Sequence, residues 1–210
     1  MNVKIFAAIV IILFTVSCNS NPGTPASPVT DKDTLVISPA IIIDKDSLLT
    51  ATGKQILVFL KSKQYDSLVT YFSPTDSVHF SPYGFIGSGG QTLSAHDFAT
   101  LLINNKIVNW GEFDGSGDPI HLTLKQYIEK FVYNADFLNA DRSAIDSFIG
   151  TGNSVNTLKK VYPNSRFIEY YFPGFDKKYG GMDWTSLRLV FKEQNERYYV
   201  IALVHDQWTI

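Results

Sequence analysis

The sequence predicts an α+β domain in which N-terminal helices pack on one face of a curved antiparallel sheet. Three observations carry this: apolar residues at helical spacing between Ser47 and Phe72, two capped helix starts near the middle, and period-two alternation through the last third. Helices first and long strands last separate the two kinds of element along the chain, which favours α+β over alternating α/β.

The first residues are read apart from the domain. Met1-Asn2-Val3-Lys4 precedes a predominantly apolar run from Ile5 to Val16 and then Ser17-Cys18, the three-part layout of a secretory signal. As a helix this run is roughly 18 Å long, short of a hydrocarbon core of about 30 Å. Thr15-Val16-Ser17-Cys18 resembles a bacterial lipobox, with Thr15 where Leu is usual. Residues 1–18 are therefore expected to be a lipoprotein signal peptide ending at a lipidated Cys18. The expected partner is the bilayer of a bacterial cell envelope, outside the cytoplasm. Cys18 is the only cysteine, so the rest of the chain has no thiol for disulfides or thiolate metal sites.

Residues 19–35, rich in Asn, Ser, Pro, Gly and Thr, read as a flexible tether, and residues 36–210 as one globular domain. Val36-Ile37 and Ile41-Ile42-Ile43 suggest an extended segment laid against it. Leu49, Ile56 and Leu60, then Tyr65, Leu68, Val69 and Phe72, predict two helical pieces separated at Lys61-Ser62-Lys63-Gln64. Pro74 stops the pattern, and Val78-His79-Phe80 starts an extended piece closed by glycines between Gly84 and Gly90.

Ser94-Ala95-His96-Asp97 reads as a capping box with Leu93 and Phe98 as its staple, and Thr123-Leu124-Lys125-Gln126 repeats the device with Leu122 and Tyr127. Helices are expected near 94–104 and 123–134. Arg166–Phe172, Ser186–Lys192 and Arg197–Trp208 are expected to be strands, the last two joined as a hairpin across Gln194-Asn195-Glu196. In the final strand, Tyr198, Val200, Ala202 and Val204 should face one side and Tyr199, Ile201 and Leu203 the other.

The helical pair ending in Tyr65-Asp66-Ser67-Leu68, with Leu187-Arg188-Leu189-Val190-Phe191 and Tyr199-Val200-Ile201-Ala202-Leu203-Val204, resembles the NTF2-like (cystatin-like cone) fold. Phe80-Ser81-Pro82-Tyr83, Trp110-Gly111, Asp114 to Ile120, Pro173 to Asp176, Gly181 to Trp184 and His205-Asp206-Gln207-Trp208 are similar to blocks shared by a family of secreted bacterial lipoproteins. The NTF2-like resemblance implies a conical pocket between helices and sheet, used by relatives for ligand or partner binding or for isomerase, dehydratase or hydrolase chemistry. It also implies sheets that pair into homodimers.

The residues expected at such a pocket are His79, Tyr83, Trp110, Asp114, Asp183, Trp184, His205, Asp206 and Trp208. A histidine beside a carboxylate would serve acid–base chemistry, but adjacent strand residues face opposite ways. His205 would therefore need Asp114, Asp183 or His79, not Asp206, as its partner. His79 and Tyr83 share a face if their segment stays extended. A histidine within reach of a carboxylate inside a closed cavity points to an enzyme; an open surface, or burial in core, points to a module that binds a small molecule, glycan or protein.

Other chemistries find little footing. A net charge of −2 with scattered Lys and Arg offers no basic stripe for nucleic acid. Asp114-Gly115-Ser116-Gly117-Asp118 begins like a calcium loop but has Lys125 where the bidentate Glu is needed. His96 and His121 make no zinc set, and Gly87-Ser88-Gly89-Gly90 lacks the strand-to-helix setting of a nucleophilic serine. No cofactor and no metal site are expected.

Overall fold

In the computed structural model, which describes residues 44–87 and 89–209, Asp44 opens the first helix by accepting from the backbone N–H groups of Asp46 and Ser47. This helix, α1 (Lys45–Lys61), buries Leu49, Ile56, Leu57 and Leu60. Gly53 lets it sit tightly on the sheet, because a Cβ there would lie 2.5 Å from the Tyr170 hydroxyl. A short α2 (Tyr65–Leu68) follows after Lys63, whose φ of 56° turns the chain.

Both capping boxes form. Ser94 and Asp97 start α3 (Ala95–Asn104), and Thr123 and Gln126 start α4 (Leu124–Tyr127), which continues as a π turn over Ile128–Val132. A last short helix, α5, spans Leu158–Val161.

Six strands form the main sheet: β1 (Val78–Ser81), β2 (Gln91–Leu93), β5 (Arg142–Ile145), β6 (Arg166–Phe172), β7 (Thr185–Gln194) and β8 (Arg197–Gln207). Their order is β2-β1-β8-β7-β6-β5, while β3 (Val108–Glu112) and β4 (Pro119–Leu122) make a separate hairpin. The fold is α+β, and the main sheet is antiparallel except where β1 runs parallel to β8, with His79 opposite Ala202. A wholly antiparallel sheet is thus corrected at one pairing, which only a long chain return can make. The β7–β8 link is tighter than expected: β7 runs through Gln194, and Asn195 and Glu196, with φ of 50° and 60°, make a two-residue turn.

The alternation expected in β8 also needs correction. Val190 pairs with Ala202 but Phe191 with Val200, so Ile201 is an extra residue and the strand changes parity there. Tyr198, Val200 and Leu203 join the main core, whereas Ala202 and Val204 join Leu158, Phe167 and Val190 in a second cluster. His205 consequently lies on the face of Leu203 and Leu187, and Asp206 on that of Val204 and Arg188.

The space between helices and main sheet is filled. Phe80 packs against Phe72, Phe98, Trp110 and Tyr127, and Trp110 stacks on Tyr127 with ring centroids 3.8 Å apart. Among the described residues no helix is long and apolar enough to cross a membrane. Cys18, the expected signal peptide and tether, and the expected extended segment before Asp44 lie outside the described residues.

Candidate functional site: an open cleft and two closed polar networks

A cleft of about 960 Å³ opens beside the β3–β4 hairpin. One wall follows from the hairpin's glycines. Gly111, at φ 110°, sits where the β3–β4 register breaks and approaches Gly89 so closely that a Cβ would be 3.1 Å from the Gly89 Cα. Beyond it the Phe113 amide donates to the Asp118 carbonyl at 2.7 Å, closing a turn that carries Asp114. Tyr83 braces this turn: its hydroxyl accepts from the Asp114 amide at 3.1 Å and its ring meets the Phe131 ring edge-on at 6.0 Å. Partial burial raises the Tyr83 phenol above its usual range.

The opposite wall holds Phe85 and Val155, 58% and 69% exposed. The Thr157 amide donates to the Gly84 carbonyl at 3.1 Å and the Ile86 amide to the Thr157 hydroxyl at 2.8 Å, holding the two segments together. Glu112 and Asp114 also line the cleft, both exposed.

Of the residues expected at one pocket, Tyr83 and Asp114 meet here; the others are dispersed. Trp110 is fully buried, its indole N–H donating to the Leu122 carbonyl at 3.0 Å, so it is core and not a pocket wall. His79 borders a smaller recess of about 460 Å³ with Asp76, Tyr162 and Lys192, and bonds Thr92 at 2.9 Å. Burial lowers its pKa. The chain turns after Ser81, so His79 and Tyr83 do not share the face that an extended segment would give them. Asp183 accepts from the Phe175 and Asp176 amides at 2.8 and 2.7 Å, and so staples a surface loop. Trp184 packs under Gly150 and Gly152 and against Tyr171; Trp208 is 39% exposed at the end of the last strand.

His205 is sealed in the core. One ring nitrogen, Nδ1, is 2.9 Å from the Pro82 carbonyl and must donate, leaving Nε2 to accept from Thr185 or Asn134 at 3.1 and 3.3 Å. Its partners are a hydroxyl, an amide and a carbonyl, not the Asp114, Asp183 or His79 anticipated. Desolvation, opposed by the Pro82 carbonyl and aided by the positive charge of Arg188, lowers its pKa to about 4.

Asp206 belongs to a second closed network, one that sequence reasoning missed. Arg188 donates from Nη1 to Asp206 at 2.7 Å, from Nε to Glu169 at 3.0 Å and from Nη2 to the Gly150 carbonyl at 3.1 Å. Glu169 also accepts from the Ile149 and Gly150 amides, and the Arg188 guanidinium sits 5.1 Å from the Phe148 ring centre. Arg188 and Glu169 have 0% exposure. The available signal was a charge set between apolar neighbours in each of two strands, Glu169 in Ile168-Glu169-Tyr170 and Arg188 in Leu187-Arg188-Leu189. Phe85 and Val155 gave no such signal.

No protein-family model, no curated protein and no solved structure matches this chain. Among the described residues no group of three or more His, Cys, Asp or Glu is placed to hold a metal ion.

Proposed function

We propose that this protein is an extracytoplasmic lipoprotein, held to a bacterial membrane by acylated Cys18, whose NTF2-like domain binds a ligand or partner in the cleft beside β3 and β4. The observation that carries the binding reading is the contrast in valence. His205, Asp206, Glu169 and Arg188 are buried and committed to one another or to neighbours, whereas Phe85, Val155, Glu112 and Asp114 stand exposed around a cleft large enough for a ligand. The NTF2-like reading is supported by the opening helices lying over a sheet whose long final strands are β6, β7 and β8. The leader and its single cysteine support the anchor.

Two measurements test this reading. Wild-type chain should take up labelled palmitate and sediment with membranes, and Cys18→Ser should do neither; a wild-type chain left unlabelled and soluble would refute the anchor. In the domain, Phe85→Ala should weaken uptake of a cleft ligand without unfolding the protein, and a ligand indifferent to this change would refute the cleft.

A further inference from the structure

The cleft's lining has an imbalance that selects a class of ligand. Its charged residues are Glu112 and Asp114, and no Lys, Arg or His lines it. Among the described residues neither carboxylate forms an ion pair, although nine such bridges are made elsewhere. The neighbouring cation, Lys130, is spent otherwise: its ammonium lies 5.3 Å from the Phe113 ring centre and 5.9 Å from that of Phe131.

The other side of the cleft is apolar. Phe85 and Val155 leave much of their surface to water, the kind of exposure that binding relieves. Phe85 and Tyr83 add aromatic surface, whose ring faces attract cations, whereas the Phe113 ring already has the Lys130 ammonium over it. An anionic ligand would meet like charge, and a neutral one would cover two carboxylates without compensating them. A cation with an apolar body satisfies both walls together.

We propose that this cleft binds a small organic cation, an ammonium or guanidinium carried on an apolar or aromatic body, with the charge toward Glu112 and Asp114 and the body against Phe85 and Val155. This rests on the cleft being the binding site and adds the ligand's chemistry. The Tyr83 hydroxyl, which accepts from the Asp114 amide, holds the turn bearing that carboxylate in place.

The test compares two isosteric probes, phenethylammonium and 2-phenylethanol, titrated into the full chain in detergent. Amide chemical shifts are followed at Gly89, Gly111, Gly115 and Gly117, which line the cleft. The ammonium should saturate these shifts with an affinity about tenfold above the alcohol's, the scale of one modest charge interaction near a surface. Glu112→Gln with Asp114→Asn should bring the two probes to equal affinity; both positions are exposed, so folding is left intact. Equal affinity of both probes for the wild-type chain, or a double variant that still prefers the ammonium, would overturn the cation and leave the cleft standing. Absence of saturable shifts at these glycines with either probe would overturn the cleft as well.

Discussion

The Arg188 network and the cleft use similar side chains to opposite ends. In the first, two carboxylates and a guanidinium are withdrawn from water, with hydrogen bonds from Ile149, Gly150 and Gln207 completing the carboxylates. In the second, two carboxylates, Glu112 at the end of β3 and Asp114 on the turn after it, stand in solvent beside exposed apolar groups. Charges in low dielectric are tolerated only when compensated, so a finished set is structural by necessity. An uncompensated set survives only in water, and remains available to a ligand.

The sharpest way to break that comparison is to remove the guanidinium. Arg188→Ala strands Glu169 and Asp206 in the interior and should lower unfolding free energy by about 3–5 kcal/mol, read from the urea midpoint. Glu169→Leu, Arg188→Met and Asp206→Leu together should recover most of that loss, since no buried charge is then left alone. A single variant as stable as wild type would mean that water reaches the site.

The second effect comes from His205. Its native pKa, about 4, lies below the unfolded value of about 6.5, so above pH 6.5 both states are neutral and the residue gives stability no pH dependence. As pH falls from 6.5 toward 4 the unfolded chain takes up a proton that the native state refuses, and stability is lost, by about 3 kcal/mol in all. Urea midpoints of wild type and His205→Gln should therefore converge across that window. Parallel curves would show the imidazole to be hydrated.

The smallest effect is expected in the cleft. Phe85→Ala with Val155→Ala removes two mostly exposed side chains and should change stability by no more than about 0.5 kcal/mol. A loss as large as that of Arg188→Ala would make the cleft wall part of the core and erase the distinction between the two regions.

The legible part of the fold lay in signals confined to a few neighbouring residues. Both helix caps could be read because Ser94 with Asp97, and Thr123 with Gln126, satisfy backbone donors within one turn. The three long strands and their hairpin were legible because period-two alternation and the polar link are local too. For the site, the reading assembled nine candidates into one pocket and the structure brings together Tyr83 and Asp114. Trp110 misled because a buried aromatic and a ligand platform have the same composition. His205 and Asp206 misled because a buried polar residue looks, in sequence, like a reactive one.

By itself the sequence determined the two capped helix starts at Ser94 and Thr123, the long strands β6, β7 and β8, and the hairpin that joins the last two. Tertiary structure decided the parallel return of β1 onto β8, the extra residue at Ile201 that sends Ala202 and Val204 to the second face, the closure of Arg188 between Glu169 and Asp206, and the gap between Phe85 and the β3–β4 turn. Caps and alternation are set by hydrogen bonds and steric contacts between near neighbours, which composition records. Pairing register and the space between distant loops depend on contacts across the chain, where one inserted residue reverses which side chains meet.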